Sequence, residues 1–147
     1  MPPTSEQLQT FLQALAVDRG HLGLVVTKAD PRPLDLRMPD VGMSSLDLDA
    51  ATDPEAAVSL LFNAAHEGGW VRLNLVDGSL PGRLYNQLRL ISTSGHLDAA
   101  MRGQAGNVQE LRWPGTSKVI VVASQKALDK ISVPTFLNLF GPILRES

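Results

Sequence analysis

The segment WVRLNLVDG (residues 70–78) and the segment KVIVVAS (residues 118–124) decide the fold class of this chain. Each is a short, mainly apolar run that leads into a polar residue, Asp77 in the first and Ser124 in the second. Residues 70–76 alternate in polarity, which predicts a strand with one face only partly buried. Residues 119–123 are apolar throughout, which predicts the central strand of a sheet.

Strand and helix patterns alternate along the rest of the chain. An apolar run at residues 22–26 predicts another buried strand, and residues 34–38 and 108–113 predict shorter ones. Helix starts are predicted from capping signals at Thr4, at Asp53, at Gly78 or Ser79, and at Ser132. This alternation predicts one α/β domain over residues 1–147, with three layers and a small, mostly parallel sheet that carries helices on both faces.

Composition excludes several kinds of chemistry. The chain of 147 residues is 44% hydrophobic and 19% charged, which is typical of a globular protein. Its net charge of −2 argues against a nucleic-acid partner. With no cysteine it has no disulfide, thiolate nucleophile or cysteine-ligated metal. No apolar run reaches the roughly 18 residues of a membrane span, and the first residues lack a signal-peptide pattern, so we expect a cytoplasmic protein without membrane contact.

Residues 70–78 resemble the Walker B strand of P-loop NTPases, particularly the AAA+ group, and residues 118–124 lie where that family has its next strand. The resemblance extends over roughly residues 54–140. In the family the acid holds magnesium through water and the polar end of the next strand senses the γ-phosphate, which implies these roles for Asp77 and Ser124. The chain contains no G-x-x-x-x-G-K-[ST] loop, and Gly78 stands where the family has its catalytic glutamate. The resemblance therefore implies a degenerate domain without ATPase activity; the alternative is that Asp77 and Gly78 form a turn after a strand.

A second short motif extends this candidate site. Thr27, Lys28 and Asp30 follow the strand at residues 22–26 and resemble the [NT]-K-x-D motif with which GTPases read guanine. With Asp77 and Ser124 they make up the candidate nucleotide-binding residues. A GTPase would also need a phosphate loop, and Asp30 followed by proline is a common turn signal.

No metal site, other cofactor or catalytic residue is predicted. The three histidines are far apart and share no ligand spacing. The acidic stretch at residues 47–55 lacks the glycine and the closing glutamate of a calcium loop.

The apolar segment at residues 133–140 predicts a last helix that is apolar on more than one face. A place in the core is one interpretation. The other is docking on a partner protein or a second copy of the chain through Phe136, Leu139, Phe140 and Ile143, with Leu139 and Ile143 otherwise facing water.

The sequence therefore predicts a non-catalytic assembly or adaptor subunit that acts through protein contacts. The alternatives are a nucleotide-binding protein and a small enzyme of unrelated chemistry.

Overall fold

The main sheet consists of five parallel strands. A computed structural model describes residues 3–37, 41–98, 110–131 and 135–146. In chain order its elements are α1 (Ser5–Val17), β1 (Leu22–Thr27), β2 (Met43–Leu48), α2 (Pro54–Glu67), β3 (Trp70–Leu75), α3 (Gly82–Ser94), β4 (His96–Asp98), β5 (Glu110–Arg112), β6 (Val119–Ser124), α4 (Gln125–Asp129), a 3-10 helix (Phe136–Leu139) and β7 (Ile143–Arg145). The order across the sheet is β2-β3-β6-β1-β7, and β4 and β5 form a separate antiparallel pair.

The predicted fold class is confirmed. Every neighbouring pair in the main sheet is parallel, and helices lie on both faces, as in a three-layer α/β fold. β6 occupies the centre of the sheet, as its apolar sequence predicts. Because β6 lies between β3 and β1 and pairs with both in parallel, the carboxyl ends of the three strands lie at one edge of the sheet.

Two apolar clusters cover the two faces of the sheet. On one face α2, α3 and the 3-10 helix pack against the strands, with Leu61, Leu73 and Val121 fully buried or nearly so. On the other face α1 packs alone, through Leu8, Phe11, Leu12 and Leu15. That second cluster also holds Leu36, which comes from the loop after β1, so a loop completes the layer that α1 begins.

Local sequence signals account for the helix ends. Thr4 and Gln7 form the predicted capping box, with Thr4 Oγ1 accepting from the Gln7 N–H at 3.1 Å. The Asp53 carboxylate accepts from the Glu55 N–H at 3.0 Å and caps α2, which ends at Gly68 in the left-handed region with φ +76°.

Three predictions around β3 are wrong. β3 is buried on both faces, because α1 and the loop after β1 cover the side that carries Arg72 and Asn74. Residues 34–37 form no strand, and Met38 lies outside the described residues; the edge strand is β2 instead. α3 is capped by Pro81 and begins two or three residues later than predicted, because residues 77–79 form a turn.

The predicted C-terminal helix is also wrong. Residues 132–134 lie outside the described residues, residues 136–139 form a 3-10 helix, and residues 143–145 form the edge strand β7. Leu139 is buried rather than facing water, together with Phe136 and Phe140, whereas Ile143 is 40% exposed. The short helix α4 was not predicted, and β5 occupies part of the predicted strand at 108–113, of which 108 and 109 lie outside the described residues.

A buried lysine closes the amino end of the sheet. Lys118 is 2% exposed, and its ammonium donates to the backbone carbonyls of Asp18 and Gly20 at 2.7 and 3.0 Å. These carbonyls belong to the turn between α1 and β1. The lysine therefore joins that turn to the start of β6, and burial lowers its pKa.

Among the residues that the structure describes, none of the helices has both the length and the apolar character that crossing a bilayer requires.

His21, which lies beside this lysine, should make stability depend on pH. Its buried Nδ1 has no hydrogen-bond partner, and burial and the charge of Lys118 lower its pKa, while Asp18 acts in the opposite direction. As pH falls, the histidine of the unfolded chain takes up its proton before the histidine of the folded chain. The contribution of neutral His21 to the free energy of unfolding is therefore complete above the ordinary histidine pKa of 6.5 and is lost as pH falls below it. In urea denaturation, the free energy of unfolding of the unsubstituted chain should be lower at pH 5 than at pH 7.5. This difference should be smaller in the His21→Gln variant. His66→Gln, at an exposed position, is the control; an equal effect of both variants would contradict the assignment.

Candidate functional site

The candidate site lies at the carboxyl edge of the main sheet. In the parallel register Thr27, the last residue of β1, is directly opposite Ser124, the last residue of β6. Asp77 follows β3 by two residues, and β3 is the other neighbour of β6. The sheet therefore brings the ends of the three predicted strands to one edge.

Asp77 and Ser124 are both engaged in local backbone contacts. The Asp77 carboxylate accepts from the N–H groups of Ser79 and Ala50, at 2.9 and 3.0 Å. These hydrogen bonds, that from Ser79 first, lower the pKa of Asp77. Ser124 Oγ accepts from the Ala127 N–H at 3.1 Å and caps α4. Both side chains stabilise turns at this edge, as caps do in folded proteins generally.

Thr27 and Asp30 are likewise bonded within their own loop, whereas the Lys28 N–H donates to the carboxylate of Glu146 after β7 at 2.5 Å. The Thr27 hydroxyl donates to the Ala29 carbonyl at 2.7 Å. Asp30 forms an ion pair with Arg32, whose Nη2 lies 2.5 Å from the carboxylate, and these hydrogen bonds lower the pKa of Asp30. Lys28 is exposed.

Gly78 lies in a position that admits no side chain. Its φ is +83°, in the left-handed region that favours glycine. A Cβ atom at this position would lie 2.7 Å from the Ala127 carbonyl oxygen and 2.8 Å from the Cβ of Lys130. The packing of α4 against this turn therefore excludes a glutamate where the resembled family has its catalytic one.

The cavity beside the end of β1 is acidic. It has a volume of about 580 Å³ and lies between α1 and the loop after β1. Among the described residues its charged lining consists of Asp30, Asp35, Glu146 and Arg37. Arg37 donates to Asp35 at 2.9 Å, so the one cation of the lining is already paired. Two of its three acids, Asp35 and Asp30, are ion-paired with arginines, so the described lining offers a phosphate no unpaired cation.

Arg72 holds the loop after β1 against the sheet. This arginine is 8% exposed, in the middle of β3. Its guanidinium donates to the backbone carbonyls of Leu34 at 2.5 Å and Pro31 at 2.9 Å, and Nε donates to Asn74 Oδ1 at 2.8 Å. Asn74 in turn donates to Asp47 on β2 at 2.8 Å. The segment that follows β1 is therefore fixed over β3 by a side chain from the sheet.

Sequence reasoning missed the roles of Arg72 and Lys118. One signal was present: a cation inside or directly before an apolar strand must find partners if both faces of that strand are covered. The partners are backbone carbonyls of loops remote in sequence, which no local pattern identifies.

No metal centre is formed in the described ranges. Within residues 3–37, 41–98, 110–131 and 135–146, no group of three histidine, aspartate or glutamate side chains is arranged to hold an ion.

Comparisons with known proteins find similarity at the level of the fold. No protein-family model matches the chain, and no curated protein matches it significantly. Among solved structures it is similar to NtrX from Brucella abortus in complex with ATP, with a TM-score of 0.59 and 12% sequence identity. The match covers 95% of this chain and 34% of that one, so the chain spans about a third of the length of NtrX. This likeness supports the P-loop-like resemblance as a resemblance of fold alone.

Gly78→Ala should destabilise the protein. A non-glycine residue at this φ, with its Cβ in contact with α4, should lower the free energy of unfolding by about 1–3 kcal/mol in urea denaturation. The matched control is Gly82→Ala in the first turn of α3, where a Cβ meets nothing within 4 Å, and which should be neutral or slightly stabilising. Equal stability of the two variants would show that the turn is not constrained as described.

Arg72→Met should destabilise the protein through the loop after β1. The carbonyls of Leu34 and Pro31 would lose their donor, at a cost of about 2–4 kcal/mol in the free energy of unfolding. Arg37→Met removes an exposed arginine whose ion pair is also exposed, and it should change stability by less than about 1 kcal/mol. An Arg72→Met chain as stable as the Arg37→Met chain would contradict this role.

Proposed function

We propose that this chain is a non-catalytic assembly or adaptor domain, built on a P-loop-NTPase-like sheet, that acts through protein contacts. The proposal rests on the sequence of the loop after β1 and on the way in which this loop is held against the sheet. This loop does not match a G-x-x-x-x-G-K-[ST] phosphate loop, it is held on the sheet by Arg72, and it borders a cavity whose single arginine is ion-paired.

The turn after β3 supports the same conclusion. Each oxygen of Asp77 accepts one backbone hydrogen bond, so this carboxylate already has a structural role that joins the turns after β2 and β3. Water activation would need a residue where Gly78 has no room for a side chain. Nucleotide hydrolysis therefore lacks its phosphate anchor and its base at this edge.

Nucleotide binding without hydrolysis is the second candidate. It is favoured by the register that sets Thr27 beside Ser124, with Asp77 two residues after the neighbouring strand β3, and by the fold likeness to a protein solved with ATP. In this case a nucleotide would have to displace the local hydrogen bonds of these side chains.

Thermal unfolding with nucleotides separates the two candidates. We expect no change in Tm with ATP, ADP, GTP or GDP, each with magnesium, because a ligand that binds the native state must raise its stability. A rise of several degrees that Asp77→Asn abolishes would overturn the proposal in favour of nucleotide binding. Asp129→Asn, at an exposed position on α4, is the charge-matched control and should leave any such shift unchanged.

A further inference from the structure

The outer edge of β2 has no partner strand among the described residues. β2 is an edge strand of the main sheet and pairs only with β3 there. The carbonyls of Gly42 and Leu48 accept from the N–H groups of β3 and of the residue after it, at 2.9 and 3.0 Å. Since successive residues of a strand turn their backbone groups to opposite sides, those of Met43 and Ser45 point away from the sheet. An edge of this kind is a template for a further strand.

The length of this free edge is defined at one end. The carbonyl oxygen of Asp47, the next outward-facing residue, accepts from the Thr52 hydroxyl at 3.1 Å. The backbone around Met43 and Ser45 is therefore the part that offers both donors and acceptors. A short extended segment of a few residues would satisfy it.

A groove runs beside this edge on the face that carries α1. It has a volume of about 430 Å³, and its described lining residues are Leu36, Arg37, Val41, Met43, Ser45 and Arg72. Met43 and Ser45 are in register with Trp70 and Arg72 of β3, so their side chains lie on this same face. Alternate side chains of a strand added to β2 would therefore project over the groove.

The floor of the groove is cationic. Arg72 is buried, and it donates to Asn74 and to backbone carbonyls, while no carboxylate of the described residues lies within ion-pair distance of it. Burial lowers its pKa, and Asp47 and Asp35 oppose that effect from further away. Arg37, at the rim, is exposed and ion-paired with Asp35 at 2.9 Å, so Arg72 is the cation of this lining without a carboxylate partner among the described residues. The small side chain of Ser45 lies between this floor and the free edge, so it leaves space for a longer side chain from outside.

We propose that an extended, acidic peptide segment of a partner protein adds to β2, with backbone hydrogen bonds to Met43 and Ser45 and with an Asp or Glu side chain directed over Ser45 toward Arg72. Strand addition of this kind draws affinity from the main-chain bonds and specificity from alternate side chains. The apolar residues Leu36, Val41 and Met43 would contact the flanking side chains of the segment. This inference rests on the proposed function, because it names the surface and the chemistry of the protein contact.

A display library of random twelve-residue peptides tests the inference on the whole chain. We expect the enriched peptides to share an Asp or Glu flanked at alternate positions by β-branched or aromatic residues. In the native chain the synthetic consensus peptide should shift the amide resonances of Met43, Ser45 and Arg72, but not those of β7 at the opposite edge. No enrichment, enrichment without an acidic residue, or shifts confined to other elements would overturn it.

Three variants refine the test. Ser45→Pro removes an outward N–H without touching the β2–β3 ladder and should weaken the peptide by about tenfold, the effect of one lost hydrogen bond. Arg37→Gln should weaken it by about threefold at low salt, whereas Arg145→Gln on β7 should not change it. Circular dichroism and Tm show whether each variant is folded. Unchanged affinity in a folded Ser45→Pro chain would overturn the inference.

The outcomes distinguish this inference from the function on which it rests. If the chain binds neither a nucleotide nor an acidic peptide, the proposed function stands and the inference about the β2 edge is overturned. A nucleotide shift that depends on Asp77 overturns the proposed function itself. If light scattering shows a dimer that the Ser45→Pro substitution dissociates, the β2 edge binds a second copy of the chain, and the inference of an acidic peptide partner is overturned.

Discussion

The structure depends on a buried guanidinium in the middle of its sheet. Arg72 lies on β3, next to the central strand, and its donors meet the carbonyls of residues 31 and 34 and the side chain of Asn74. A buried cation is stable only when its hydrogen bonds are made, so the loop after β1 must stay in place for β3 to be covered. The same contact completes the layer that α1 leaves open and leaves Arg72 as the floor of a groove beside the free edge of β2.

A second buried cation, Lys118, holds the amino end of the sheet. Lys118 joins the turn before β1 to the start of β6, through carbonyls about 100 residues away in the chain. Both cations bond to backbone oxygen rather than to carboxylates. Backbone carbonyls keep their partial charge at every pH, so these contacts do not depend on the ionisation of an acid. His21 lies beside Lys118 and has a lowered pKa, so its protonation at low pH should weaken this end of the sheet.

The carboxyl edge has the strand arrangement of a nucleotide site, but its polar side chains form hydrogen bonds to the backbone of nearby turns. Asp77 and Ser124 lie on the ends of adjacent strands, yet each accepts backbone hydrogen bonds that hold its own turn. α4 packs on Gly78 and removes the space for a catalytic side chain. The described lining of the cavity at the end of β1 has one arginine, Arg37, which is already paired with Asp35 and is not free for a phosphate. The proposed role in protein contacts rests on these features of the carboxyl edge.

Local patterns were enough to predict the fold class, the three central strands and the capping of α1 and α2. These features follow from hydrophobic periodicity and from hydrogen bonds between residues a few positions apart, both of which are present in the sequence. They also predicted that Asp77 and Ser124 follow strands, which is why both reach the same edge. Whether these residues bind a nucleotide stays a prediction.

The second face of β3, the edge strand β2 and the short C-terminal elements were decided by tertiary structure alone. Alternation in residues 70–76 predicted a partly exposed face, but Arg72 and Asn74 are buried because a remote loop supplies their partners. β2 contains two serines and an aspartate, and it is a strand because β3 offers it a ladder. Phe136, Leu139 and Phe140 are apolar in any context, and only packing places them in the core rather than on a surface. Long-range hydrogen bonds and burial join residues far apart in the chain, and such pairings leave no periodic trace in the sequence.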